Sequence, residues 1–495
     1  MSQGSKSSPP KYITVNRKQL AWLQTDVEEL IPADHPARAI WHLVSRLDLS
    51  GWEQEIQTRE GDVGRPCWEP RLLISIWIYA YSQGISSARA LERRMEYERG
   101  LQGLTATEIV NAHSLSDFRM SHKGKLNELM RQVLAVLDQE GMIDLETVVQ
   151  DGTKMRAVAS QESLHRRPRL EQRLEKARQV IEELNQQTEA EPAAGRRQQA
   201  ARHRAASERL ERLEGALREM GKREAQEGAD PERRVSDSEP EARKMKHADG
   251  AWAPSYNVQI STETKNRMIV GIRVSPQAND TQELVPALHM IRHWSGRKPK
   301  QILADNGYAT RENVEQVAGR HMEFVAPWKS EESRQAGALA THGRDPAFGP
   351  GAFVLQPDSG ELRCPAGQPL RAEKQSRKHG QLQQSYLAEA ADCQSCAYRP
   401  ACCGEGSPGP RRVSRIVENP AMQEYLQRMQ RPETQTLYKR RKEVGEFPQM
   451  WMKGLWGLRR FSVRGLIKVG REVVWAALAY NIQQWIRTAW KPRFA

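Results

Sequence analysis

The sequence predicts an α+β protein in which an all-helical N-terminal domain precedes a mixed sheet with flanking helices, the sheet being interrupted by a helical insert and a cysteine-rich insert. Three observations predict it. Apolar residues recur at helical spacing through residues 17–140. From residue 145 short β-branched runs alternate with amphipathic stretches, and five of the six cysteines fall between Cys364 and Cys403 in a stretch rich in Gly, Pro and Ser.

The helical domain, residues 1–140, carries "RLLISIWIYAYSQG" (71–84) and "LMRQVLAVLDQE" (129–140), both apolar at helical period. Between them "GISSARALERRM" offers Ser86 or Ser87 as the cap of a helix with Arg89, Arg93 and Arg94, and His113, Ser114 and Ser116 are expected to precede a second cap. The spacing displays a basic helix, for which a plain solvated face is the alternative.

The core's first part spans 141–330, with a basic helical insert at about 161–235. "LETVVQDGTKMRAVAS" (145–160) opens it as a strand whose β-branched run ends at Asp151-Gly152. Residues 164–225 read as two helices laced with acid and base pairs, broken by Pro192 and Gly195 into an antiparallel pair. "SYNVQISTE" (255–263) and "RMIVGIRVSP" (267–276), joined by "TKN", read as a hairpin. Residues 281–294 are a helix capped by Asp280 or Thr281; "PKQILADNGYAT" is a strand, "RENVEQVAG" a helix and "MEFVAP" a strand. Such a mixed sheet needs both faces covered. Residues 331–430 form the cysteine-rich insertion, and 431–495 a helical C-terminal part of the core.

Lys and Arg number 75 against 62 Asp and Glu, for a net charge of +13. That balance favours a polyanionic partner, with nucleic acid ahead of an acidic membrane. No stretch approaches the roughly 18 apolar residues of a spanning helix, and "MSQGSKSSPPKYITV" lacks a signal-peptide core, so a cytoplasmic protein is expected. The pattern Cys364-x28-Cys393-x2-Cys396-x5-Cys402, with Cys403 as an alternative fourth ligand, suits one structural zinc, with reduced metal-free thiols as the rival. Cys67 reads as an inert buried thiol.

Asp151 and Asp305 each close an apolar run and are each followed closely by glycine. Either alone would more often shape a turn. On adjacent strand ends they would converge, and a hard divalent cation relieves such a pair: two magnesium ions about 3.5–4 Å apart serve phosphodiester displacement. A third acid is then expected from a helix beside the sheet, and Glu446 in "YKRRKEVGEFPQMWMKG" supplies one, with Pro448 two residues on as a kink. From Tyr438 to the C-terminus 13 Lys and Arg face three Glu. Trp451, Trp456, Trp475 and Trp485 could stack on bases, although Trp475 and Trp485 lie in an apolar stripe that suits a core.

"VVQDGTKMRA", "YNVQIS", "ANDTQEL", "LADNGY", and "YKRR" followed by Glu446, Lys453, "RRF", "RG" and "AYN" together resemble the DDE transposases of bacterial insertion sequences, most nearly insertion sequence family 1182. The helical region's "GISSARALERRM" and "SLSDFR" are similar to that group's N-terminal domain. The resemblance implies an RNase H-like catalytic core with Asp151, Asp305 and Glu446 as its acids. In the family a Tyr, an Arg, the Glu and a Lys recur in order, matched here by Tyr438, Arg441, Glu446 and Lys453. The six residues between Glu and Lys select Glu446 over Glu443, while the longer gap from Arg to Glu leaves Lys442 where an Arg is expected. The resemblance further implies Mg2+ or Mn2+ at the three acids, Tyr438, Arg441, Lys442 and Lys453 on DNA phosphates, and terminal inverted repeats and target DNA as partners. A homodimer would synapse the ends, and the helical N-terminal domain would bind DNA. Nicking followed by attack of the freed 3′-hydroxyl is the implied reaction. A related nuclease without strand transfer, or a repurposed non-catalytic DNA-binding protein, is the alternative.

Overall fold

The computed structural model describes residues 26–56, 66–121, 124–190, 196–328, 339, 343–356, 360–378, 381–404 and 406–491. Its N-terminal helices are α1 (Pro36–Val44), α2 (Ser50–Glu53), α3 (Pro70–Ser82), α4 (Ala88–Met95), α5 (Arg99–Thr105), α6 (Ala112–Ser121) and α7 (Lys125–Gln139). Pro36 and Pro70 open α1 and α3, where a missing N–H leaves no bond unmade. From Leu73 to Ser82 every residue of α3 is buried. A helix with no wet face belongs at the centre, and α1, α5 and α6 pack around it. Cys67 lies in the segment leading up to Pro70 and is exposed, contrary to the buried thiol expected.

Ser87 caps α4, its hydroxyl accepting the Ala90 N–H at 3.4 Å. The second cap falls earlier than expected: Asn111 Oδ1 accepts the Ser114 N–H at 2.9 Å, which places His113, Ser114 and Ser116 inside α6. Asparagine caps as well as serine and comes first in "NAHSLS".

The main sheet begins with β1 (Thr147–Arg156). An excursion follows through β2 (Leu164–His165), α8 (Arg167–Ala190), α9 (Arg196–Glu227) and β3 (Val235–Ser236). The two long helices run antiparallel around a seam of Leu170, Ala177, Leu213 and Met220, with Arg167 on Glu224 at 2.6 Å. Pro192 and Gly195, where the break was expected, lie outside the described residues. The chain then returns as β4 (Arg243–Lys246), β5 (Trp252–Glu263), β6 (Ile269–Ser275), α10 (Leu284–Ser295), β7 (Gln301–Leu303), α11 (Arg311–Ala318) and β8 (Glu323–Val325). The strand order is β4-β5-β1-β7-β8, with β6 on β5. β5 is antiparallel to β1, β4 and β6, whereas β7 lies parallel to β1 and β8 parallel to β7.

The cysteine-rich region forms a second, antiparallel sheet of β9 (Val354–Leu355), β10 (Leu362–Arg363), β11 (Pro369–Lys378), β12 (Gln381–Ala388) and β13 (Arg412–Ile416), with α12 (Ala390–Gln394) and α13 (Arg399–Cys403) between the last two. It has a small core of its own around Phe353, Leu362, Leu370 and Val413.

The chain ends in α14 (Pro420–Met429), α15 (Pro432–Gln449), a π-helical turn (Met450–Leu455) and α16 (Leu466–Thr488). Pro448 sits inside α15, and the wider turn follows at once. A proline lacks the N–H that an α-helical bond needs, and a π-turn is a common way to absorb the change of register. α16 packs against α3 and α7 on one side and β6 on the other. Trp475 and Trp485 are buried in it, in the core role expected. Asn481, fully buried, accepts the Ile269 N–H and donates to the Ile269 carbonyl, both at 2.8 Å. One apolar cluster therefore runs from Ile31 to Trp485 through the N-terminal helices and the sheet.

Asn481→Leu would strip both partners from the Ile269 peptide groups in a dry interface. At about 1–3 kcal/mol for each unmet buried group, unfolding free energy should fall by about 2–4 kcal/mol, read from urea midpoints.

Candidate active site

Asp151 does not end its strand, as the sequence suggested. β1 continues to Arg156 and stays paired with β5, Asp151 standing opposite Ile260, while its parallel partner β7 stops at Leu303 opposite Val149. Asp151 thus lies just past the point where β1 loses its neighbour on that side, and Asp305 follows β7 by two residues. The end of a parallel strand pair is where open sheets leave room for ligands.

Asp305 also shapes its own turn. Its Oδ1 accepts the Gly307 N–H at 2.7 Å, and a Cβ on Gly307 would stand 2.9 Å from that oxygen. Asp151 Oδ1 accepts the Gly152 N–H at 3.0 Å.

A third carboxylate joins them. Asp280, expected as a helix cap, precedes α10 by several residues and turns to the sheet instead. Its Oδ1 accepts from Asn257 Nδ2 at 2.8 Å and Gln259 Nε2 at 2.6 Å. Gln259 Oε1 in turn accepts from the Tyr308 hydroxyl at 2.5 Å and from Gln150 Nε2 at 2.7 Å, and Gln150 accepts from Ser261 at 2.6 Å. Gly152 makes room for this group, since a Cβ there would lie 2.6 Å from Asp280 Oδ1. The signal was present in "YNVQIS", where Asn257, Gln259 and Ser261 are polar at every second position of a buried strand. Polar residues at that period on a covered face must have partners there.

Burial pushes the Asp151 carboxyl up to about 6; Arg441 opposes the shift, Asp305 adds to it, the Gly152 N–H opposes it, and Asp280 adds again. α15 lies across this end. Its Arg441 Nη1 stands 3.6 Å from Asp151 Oδ1, and Gln449 Nε2 donates to Asp151 Oδ2 at 2.8 Å. Gly445 lies between them on the same face, where a Cβ would stand 3.1 Å from Asp151 Oδ2. The helix approaches the acid this closely because position 445 has no side chain.

Tyr438 packs with Val149, Leu303, Val325 and Val444, and the Arg441 guanidinium lies over its ring at 5.8 Å. Lys453, from the π-turn, donates to Thr153 Oγ1 at 2.5 Å and to the Lys154 carbonyl at 2.7 Å. Burial pushes its ammonium down to about 8, Arg459 acts in the same sense, and Asp151 opposes. The structure thus gathers Asp151, Asp305, Tyr438, Arg441 and Lys453, and adds Asp280, Asn257, Gln259 and Gln449. Glu446 and Lys442 lie on the exposed side of α15. Among the described residues Glu446 makes no side-chain hydrogen bond or ion pair with the two aspartates.

The oxygen donors at the sheet end have the chemistry of a magnesium or manganese site. Among the described residues, however, no group of three or more His, Cys, Asp or Glu side chains is close enough to hold a metal ion. The acids converge without reaching ligand spacing, as unneutralised carboxylates must. The same finding corrects the zinc expectation. Cys364, Cys393, Cys396, Cys402 and Cys403 do line one cavity, beside Phe353 and Leu370, but not as a ligand set. Burial pushes the Cys402 thiol up to about 12 and raises Cys393 as well, whereas zinc binds thiolate. These cysteines fill the small apolar core of their module.

Residues 227–482 match the family described as Transposase DDE domain, and residues 25–121 match Transposase domain (DUF772). Asp280, Asp305 and the whole of α15 fall within the first match, while Asp151 lies between the two. No curated protein and no solved structure matches the chain. Among the described residues no helix is long and apolar enough to cross a membrane.

The raised Asp151 carboxyl makes stability depend on pH. Below the unfolded value of 3.8 the group is protonated in both states. As pH climbs through about 6 the folded protein gives up a proton that it held more tightly, so stability is lost over that window. A shift of about 2 pH units at about 1.4 kcal/mol each sets a ceiling of about 3 kcal/mol. Metal-free Asp151→Asn, which keeps the shape without the charge, should match the wild type near pH 4 and exceed it by up to about 3 kcal/mol near pH 7, in urea unfolding.

Proposed function

The chain belongs to the transposase DDE domain family, and on that premise we propose that it cleaves the ends of its insertion sequence and joins them to target DNA by divalent-metal-dependent phosphodiester transesterification. The observation that carries this reading is the meeting of Asp151 and Asp305 at the end of the β1/β7 pair, under a basic helix. The strand order β6-β5-β1-β7-β8, three antiparallel strands followed by two parallel to β1, supports an RNase H-like core.

Asp151 and Asp305 would hold the ion, with Glu446 as the third acid: it follows Gly445, the point of closest approach of α15 to Asp151. A bound divalent cation supplies Lewis acidity and neutralises charge on the phosphodiester. Asp280, oriented by its two amides, keeps a further carboxylate beside the pair. Arg441 faces Asp151 in the metal-free protein and turns to a phosphate once the acids are otherwise neutralised. Lys453, tethered to β1, and Tyr438 hold the strand next to the scissile bond. The exposed Lys442 extends the basic track. Such contacts position DNA without reading its sequence. Two copies would pair the terminal repeats in a synapse.

With Mg2+ or Mn2+ and terminal-repeat DNA, Asp305→Asn should reduce strand cleavage to background while DNA binding survives; full cleavage by this variant would sink the assignment. Glu446→Gln should behave alike. If it cleaves normally while Asp280→Asn does not, the third acid is Asp280. Pre-cut ends should be joined to target DNA, and cleavage without joining would make the protein a nuclease.

A further inference from the structure

We infer that the cavity where α4 and α6 begin is a second anion site, which grips a phosphate of the DNA backbone away from the catalytic acids. The inference rests on the reading of the protein as DNA-binding and adds a place for that contact.

The cavity measures about 590 Å³ and opens between Ser86, Ser87 and Arg89 at the start of α4 and Asn111, His113 and Ser116 at the start of α6. Both helices are long enough to project a positive end, eight residues in α4 and ten in α6. The first turn of any helix leaves N–H groups without intrahelical acceptors, and side-chain caps meet only some of them: Ser87 takes Ala90, and Asn111 takes Ser114. Two such ends facing one cavity make a natural anion cradle.

Arg119 is the independent sign of a ligand. It lines the cavity although only 6% of the residue is exposed. Its Nη1 donates to the Ser86 carbonyl at 2.5 Å and the Tyr81 hydroxyl at 3.2 Å, and its guanidinium lies 4.5 Å over the Trp77 ring. Its buried Nε has no partner. A locked guanidinium with an unmet N–H is half of the fork that arginine presents to phosphate, and a phosphate oxygen is the acceptor it lacks.

The opposing charges do not cancel the site. Glu92 also lines the cavity, and Asp117 pairs with the exposed His113 at 3.2 Å. Glu472, whose carboxylate feels the charge of Arg119, is engaged by Ser462, which donates to it from its N–H at 3.0 Å and from its hydroxyl at 2.5 Å. Ser462 is itself part of the cavity wall and comes from the segment between the π-turn and α16. A phosphate here would be held by the N-terminal helices and the C-terminal segment together. "GISSARALERRM" and "SLSDFR" thus acquire one joint task, with Arg89 and Arg119 as its cations.

The test uses the full-length protein and the salt dependence of DNA binding. Each neutralised phosphate contributes about 0.9 to the slope of log K against log salt. Arg89→Ala, at an exposed position, should lower that slope by about 1 and weaken binding equally on specific and unrelated duplexes. Ser116→Asp, which adds a carboxylate to the cavity, should do the same, and Arg119→Lys guards against a folding defect by keeping the cation. Unchanged slopes in Arg89→Ala and Ser116→Asp overturn the inference. If inorganic phosphate raises the wild-type melting temperature but the slopes stay fixed, the cavity takes a free phosphate and the DNA contact is refuted. These readouts need no cleavage, so an active Asp305→Asn variant would refute the catalytic reading and leave this one standing.

Discussion

Carboxylates forced together out of water set the terms for the rest of this structure. Asp151 is half hidden in the middle of a strand, and burial acts on it first, before any neighbour. Asp305 and Asp280 add repulsion. Such an arrangement unravels unless every other group near it either donates a hydrogen bond or stays out of the way. Gln449, Gly152 and Arg441 address Asp151, Asn257 and Gln259 address Asp280, and Gly307 addresses Asp305. Glycine at 152 and 445 removes the side chains that would collide. A site built this way is poised for a cation, because neutralising charge is the one service its own residues supply incompletely.

That arrangement holds only if α15 is pressed onto β1, and α16 is what presses it. The C-terminal helix is buried along most of its length and shares one apolar cluster with the N-terminal helices and the sheet. The joint is tight at Gly84, whose φ is +70° and where a Cβ would lie 2.8 Å from the Trp456 carbonyl oxygen. It is also polar, through Asn481 on Ile269 and Ser462 on the Ser86 carbonyl at 3.4 Å. The N-terminal helices are therefore fixed relative to the acids. DNA held at one place arrives at the other in a set register, which suits a protein that must bring one particular phosphodiester to its acids.

The elements most legible in the sequence were those that answer to local rules. Apolar period announced α3 and α7; the charge-laced run announced α8 and α9; "TKN" announced the β5/β6 hairpin. The misreadings arose where a residue serves a distant partner. Asp280 looked like a cap because it precedes a helix, yet Asn257 and Gln259 draw it to the sheet. The cysteines looked like zinc ligands by spacing, yet their side chains lie in an apolar cavity whose burial favours the neutral thiol.

By itself the sequence determined the order of helices and strands, the basic surplus and the acids at 151 and 305, because each depends on residue type at short range. Only the tertiary structure decided that β7 stops two residues short of Asp151's level, that Arg441 and Gln449 face that acid while Lys442 and Glu446 face outward, and that Asp280 joins the cluster. Helical phase around Pro448 and pairing across more than a hundred residues settle those points, and neither is written in any local stretch of the chain.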